Sequence, residues 1–140
     1  MIKDKVAVSA CLLGVNCKYD GTNNLNEKLY ELLKNKRVFV ICPEVFSGMS
    51  IPRLASEGVN KILSEQGSDV TYLFDKGAES TLNFLKNHGV TQVILKDGSP
   101  SCGFTYIYDG SFTHKRISGM GKTTKALTDA GIEVLNIDEL

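Results

Sequence analysis

The sequence predicts an α/β fold, with a mostly parallel sheet, helices on both faces and one small hairpin excursion. Three observations predict it. Short apolar, β-branched runs alternate with segments of helical period along the chain, an order that yields a parallel sheet with covered faces. Asp109-Gly110 separates two strand-like runs late in the chain, a hairpin signal. No repeat, low-complexity tract or linker interrupts the 140 residues, so one domain spanning 1–140 is expected. A chain of this length buries roughly two-thirds of its unfolded surface and needs no disulfides.

Lys5–Ala10 is short, apolar and rich in branched residues, which marks a buried strand. Asn24–Lys36 carries Leu25, Leu29, Leu32 and Leu33 at helical spacing, with Asn23 or Asn24 as cap. Arg37–Cys42 is the second strand. Pro, Gly and Ser punctuate residues 43–67, which read as a long active-site loop with a short helix or ribbon. A helix over Phe74–Asn87 follows from Ala78, Leu82 and Leu85 and ends near Gly89. Thr91–Lys96 is the third buried strand. Thr105–Ile107 and Ser111–Ile117 flank the Asp-Gly turn. Gly121–Ala130 is a helix stopped by Gly131, and Ile132–Ile137 is the last strand.

Lys+Arg and Asp+Glu number 16 each, so the formal net charge is zero. That argues against a broad grip on nucleic-acid phosphates, DNA included, though not against a local basic pocket. The N-terminus lacks the apolar stretch of a signal peptide, and no run approaches membrane-span length. A cytoplasmic location is expected, where thiols stay reduced and a set of cysteines reads as metal-binding or catalytic.

Three of the four cysteines follow predicted strands: Cys11, Cys42 and Cys102. In an open parallel sheet the segments beyond the carboxyl ends of the strands gather along one edge, where ligands bind. Thiols distant in sequence therefore meet at one site. A structural zinc site prefers paired cysteines two to four residues apart, and no such pair occurs, because five residues separate Cys11 from Cys17. A four-cysteine zinc site, an iron–sulfur cluster with dispersed ligands and plain buried thiols all remain open on spacing alone.

The order Ser9-Ala10-Cys11-Leu12-Leu13-Gly14, Lys18-Tyr19-Asp20-Gly21, Cys42-Pro43-Glu44, Pro52-Arg53 and Leu95-Lys96-Asp97-Gly98-Ser99-Pro100-Ser101-Cys102-Gly103 resembles the domain of unknown function 523 (DUF523) family. The characterised members of that family are thiouracil desulfidases. The resemblance implies a Rossmann-like, three-layer α/β domain with a [4Fe-4S] cluster held by three cysteines, matching Cys11, Cys42 and Cys102, with Cys17 outside the ligand set. It also implies non-redox replacement of sulfur by oxygen on thiouracil or 4-thio-UMP, giving uracil or UMP and sulfide. The substrate sulfur, a soft ligand, would bind an open iron, and coordination would draw electron density from the ring carbon. Larger relatives carry a second domain and act on thiolated tRNA. This chain shows no such domain, and its neutral charge disfavours tRNA as partner and favours a small thiolated pyrimidine.

Glu44, two residues from Cys42, is the candidate base for water, and Ser101, beside Cys102, the candidate hydrogen-bond partner of water, pyrimidine or cluster. Arg53, Lys96, Ser99 and Lys122 are candidate substrate contacts, with Ser99-Pro100 also shaping the turn. Gly119-Met120-Gly121-Lys122-Thr123-Thr124 precedes a helix, but Arg116 stands where a phosphate-binding P-loop needs its first glycine, which excludes a nucleoside triphosphatase. One phosphate at that helix start stays possible on sequence, against a capped helix on a Gly-rich turn. His88 reads as a helix-end partner and His114 as a hairpin residue. Two other functions compete: a zinc- or cluster-stabilised binding module with Cys17 as a fourth ligand, and a metal-free thiol enzyme.

Overall fold

The computed structural model describes residues 1–140. Strand β1 (Lys5–Ser9) runs into a 3-10 turn at Ala10–Leu13, then α1 (Lys28–Leu32), β2 (Arg37–Ile41) and α2 (Pro43–Phe46). A hairpin of β3 (Ser56–Gly58) and β4 (Ile62–Ser64) leads to α3 (Thr71–Asn87) and β5 (Gln92–Leu95). A second hairpin, β6 (Tyr106–Tyr108) with β7 (Arg116–Ser118), precedes α4 (Lys122–Asp129), β8 (Glu133–Asn136) and a last 3-10 turn at Ile137–Glu139.

The central sheet has the order β2-β1-β5-β8 with every pair parallel. Alternate residues of the strands serve opposite faces. Ala7, Ile41, Val93 and Leu95 pack with Leu85 of α3 and Leu127 of α4. Val6, Val8 and Ile94 pack with Leu12, with Leu29 of α1 and with Leu33 just beyond it. Helices therefore cover both faces, and the strands are apolar on both, as a parallel sheet requires. The chain turns to opposite sides of β1 on its way to β2 and to β5, so the switch point of the sheet lies between β1 and β5. A crevice opens there at the carboxyl ends. No helix is long and apolar enough to cross a membrane.

Three boundaries differ from expectation, each for a local reason. The first helix starts at Lys28, not Asn24, because the Asn24 and Asn26 N–H groups bond the Cys11 and Leu12 carbonyls at 2.9 Å each. Leu25, counted in its apolar face, is exposed. α3 begins one turn early, at Thr71, where the Asp69 carboxylate accepts the Thr71 N–H at 3.0 Å. In the second hairpin, Asp109 folds its carboxylate onto the N–H and hydroxyl of Ser111, and Phe112 and His114 adopt left-handed backbone. The strands are joined by a wide loop over 109–115 in place of a two-residue turn. Residues 43–67 contain both a short helix and a ribbon, where one or the other was expected.

Candidate functional site

The ends of β1, β2 and β5 deliver the site. Cys11 lies in the turn directly after β1, which Gly14 closes in left-handed conformation (φ 92°). Cys42 is the N-cap of α2, with Pro43 in the first turn, and the Val45 N–H points at its sulfur. Cys102 sits on a tight turn after β5, where its N–H donates to Ser99 Oγ at 2.7 Å and the Gly103 N–H to the Ser99 carbonyl at 2.9 Å. That turn has a buried anchor. Asp97 accepts N–H bonds from Gly98 (2.8 Å), Phe104 (2.7 Å) and Thr105 (3.2 Å), and side-chain bonds from Thr105 and from Asn136 (2.8 Å). Burial pushes the Asp97 carboxyl up, but the Thr105 hydroxyl and the converging backbone N–H groups outweigh it, and the group titrates below the usual range.

All four thiols are free and line one cleft of about 630 Å³. Cys17 reaches it from the loop after the first turn and is only 4% exposed. The neighbouring Cys17 thiol pulls Cys11 and Cys42 each down to about 7, against the opposing effect of burial. Asn24 Nδ2 adds a bond to Cys11 Sγ at 3.7 Å. Cys17 itself is pushed up by the same two neighbours and by burial. Burial, with the Glu44 carboxylate nearby, pushes Cys102 up. The cleft thus contains two thiols poised to ionise, the form that ligates metals.

Glu44, on α2, also lines the cleft. Arg53 grips one of its oxygens, Oε2, through Nε (3.0 Å) and Nη2. The same guanidinium reaches the Cys17 carbonyl at 3.0 Å and the Ser50 carbonyl at 3.1 Å. Oε1 of Glu44 has no protein partner. The ion pair is largely buried, with 10% and 18% side-chain exposure, which holds the carboxylate in one place.

Of the residues singled out in the sequence, Cys11, Cys42, Cys102, Glu44, Arg53, Lys96 and Ser99 meet at this cleft. Two do not. Ser101 is buried, with its hydroxyl 2.8 Å from Thr123 Oγ1. Lys122 pairs with Asp75 of α3 at 3.3 Å. The start of α4 is committed elsewhere: the N–H groups of Lys122 and Thr123 bond the Pro100 and Ser101 carbonyls at 2.7 and 2.9 Å. The glycine-rich turn has a packing reason, because a Cβ on Gly121 would stand 2.4 Å from the Ser101 carbonyl carbon. Lys96 turns its ammonium to Asp138 at 3.3 Å and not to Glu44. His88 Nδ1 donates to the Phe84 carbonyl at 2.8 Å, away from the site.

Sequence reasoning missed Asn24, read as a helix cap, and Asp97, read only as part of a loop. It also missed the rim built by Tyr106, Tyr108, Phe112 and His114. There, the Arg116 guanidinium lies 4.2 Å from the Tyr106 ring centre. An acid directly after a buried strand and followed by Gly98-Ser99 was the available signal for Asp97; nothing in the sequence tied the hairpin to the cleft.

Ser9 lines the cleft, and its Oγ is buried with no hydrogen-bond partner. A buried hydroxyl without a partner is costly, so this one suits a bound group with acceptor atoms. No three His, Cys, Asp or Glu side chains converge tightly enough for a single metal ion. A polynuclear cluster, which spreads its ligands over several irons, does not need such convergence, and three thiols with a spare donor fit it.

Fold and site together define an α/β protein with a thiol-lined cleft at the switch point of its sheet. The chain belongs to the 2-thiouracil desulfurase family, whose model matches residues 6–139. It is similar to the uncharacterized protein YbbK of Bacillus subtilis (strain 168), at 39% identity over 96% of this chain and 97% of that one. It is also similar to a solved structure, the [4Fe-4S]-dependent thiouracil desulfidase TudS (DUF523Vcz). That match has 41% identity and a TM-score of 0.92, and covers 99% of this chain and 93% of the other.

Proposed function

We propose that this protein is a [4Fe-4S]-dependent desulfidase that replaces the sulfur of a thiolated pyrimidine by oxygen. The observation that carries the reading is the meeting of Cys11, Cys42 and Cys102 with Glu44 in one cleft, on a fold shared with a desulfidase that uses such a cluster. The three cysteines would hold the cluster. When bound, it supplies a thiophilic Lewis acid at the iron without a protein thiolate, which polarises the thiocarbonyl.

The chain's own groups supply the rest. Glu44 is held by Arg53 through Oε2, so Oε1 is free to take a proton from water as it adds to the ring carbon. Of the two loop serines, Ser99 takes the cleft-facing role. Its oxygen accepts the Cys102 N–H, leaving its own proton to donate to the pyrimidine. Ser101, turned to Thr123, supports the Cys102 turn. Arg53 positions Glu44 and leaves recognition of the substrate to other cleft groups. The sum is thiouracil plus water giving uracil plus hydrogen sulfide, with no net electron transfer. A thiolated uracil, free or as 4-thio-UMP, is the substrate class, a single domain carries the activity, and the compartment is the reducing cytoplasm.

Protein purified without oxygen tests this. Expected are about four irons and four acid-labile sulfides per chain, as a cubane requires, and release of sulfide from thiouracils or 4-thio-UMP. Protein that takes up no iron on reconstitution, or loaded protein that leaves every thiolated pyrimidine intact, overturns the reading.

A further inference from the structure

The desulfidase reading assigns no task to Glu57, the middle residue of β3, which also lines the cleft. Its Oε1 accepts the N–H groups of Gly110 (3.3 Å) and Phe112 (3.2 Å), across 53 and 55 positions of sequence. Every other hydrogen bond of residues 109–115 runs within that loop, from the Asp109 N–H to the Lys115 carbonyl and among the side chains of Asp109, Ser111 and Thr113. One carboxylate therefore joins the loop to the β3–β4 hairpin. A Cβ on Gly110 would stand 3.7 Å from Gly58 Cα, so the loop lies against β3 where the bonds form. The loop needs the tie. Phe112 and His114 hold left-handed backbone, with φ of 57° and 61°, which is costly for bulky side chains and persists where the surroundings impose it.

We propose that Glu57 is a positioning residue for substrate binding: its carboxylate fixes the 109–115 loop, so that Phe112 and His114 stand where the pyrimidine is received. This rests on the desulfidase reading above and deepens it. Both side chains line the cleft, and a flat base is held well against ring side chains. Hydrogen bonds to a charged acceptor are stronger than neutral ones, which suits a carboxylate to hold two amides of a strained loop. Without it the loop is ordered only as substrate binds, and that cost weakens affinity. The cysteines and Glu44 come from other elements, so the chemistry itself does not depend on Glu57.

The test compares wild type, Glu57→Gln, which keeps an acceptor oxygen, and Glu57→Ala, which has none. Glu57→Asp, too short to reach both amides, stands in for alanine if that variant folds poorly. All are loaded with cluster without oxygen, and 2-thiouracil and 4-thio-UMP are the substrates. Amide exchange, read by mass spectrometry over residues 109–115, reports whether the loop is fixed. Expected for alanine are faster exchange in that loop and a KM raised about tenfold, the equivalent of one net hydrogen bond, with kcat and iron unchanged. Glutamine should lie close to wild type in both readouts. Phe112→Ala should raise KM too, and Glu57→Ala added to it should cost less than alone, because both act through one contact. Alanine that frees the loop without moving KM would overturn the proposal, leaving Glu57 a purely structural tie. So would glutamine that raises KM as far as alanine while its loop stays protected, which would make Glu57 a direct substrate contact. Either result leaves the desulfidase reading standing, whereas loaded wild type that desulfurates no thiolated pyrimidine overturns both.

Discussion

Arg53 and Glu44 show how much of the site depends on single side chains. Because Arg53 takes only Oε2, Glu44 presents one oriented oxygen, and losing its basicity removes proton transfer without touching the thiols. Glu44→Gln is expected to keep its iron and lower kcat by about 10²–10⁴, the usual range for general-base loss; steady-state rates with iron analysis check it. Asp97 makes a second case, for stability. Its depressed carboxyl contributes fully above the unfolded value near 4, and the contribution is lost as pH falls through the lower folded value. Asp97→Asn should cost about 2–3 kcal/mol at neutral pH, and the gap from wild type should narrow in acid, as urea melts at pH 7 and pH 3 would show. The strand-end cysteines and Glu44 were legible because strand ends in a parallel sheet have a known destination. Ser99 against Ser101 was not, since alternation within a tight turn decides which hydroxyl faces the cleft.

Elements carry the site as well as holding it. α2 is short, and α3 must pass close to it: a Cβ on Gly77 would stand 2.4 Å from the Pro43 carbonyl oxygen. Gly77→Ala therefore has to push α2 away, and α2 carries Glu44 and is capped by Cys42. Overpacking of this kind costs roughly 1–3 kcal/mol. The expected outcome is a lower melting temperature together with weakened iron retention, read by melting and by iron analysis after gel filtration. The order of strands and helices was readable from the two periods in the sequence. Element ends were less so. α1 lost its first turn to a loop that needs the Asn24 and Asn26 amides, a tertiary demand that leucine spacing cannot reveal. The wide hairpin loop escaped for a similar reason, since Asp109 uses its carboxylate locally and Asp-Gly alone does not set loop length.

At the scale of the whole molecule, the cleft draws its ligands from three strand ends that are far apart in sequence, so a group bound there ties the sheet together. A ligand that binds only the folded chain stabilises it by mass action. Cluster-loaded protein is therefore expected to melt at a higher temperature than the same protein after chelation, and calorimetry of both forms under anaerobic conditions checks it. The amides at the start of α4 and the Ser99–Gly103 turn have a consequence of a different sort. Gly121 N–H meets the Gly103 carbonyl at 2.8 Å, so the chain leaves the body at Gly103 and returns to it at Gly121, through one stapled doorway. Between them, beyond the Phe104 and Thr105 amides anchored on Asp97, Tyr106, Tyr108 and His114 form a rim over the cleft. The loop 109–115, which brings Phe112 and His114 to the cleft, lies outside that anchor, and its exchange between relatives is expected to change which pyrimidine is accepted without changing the iron held.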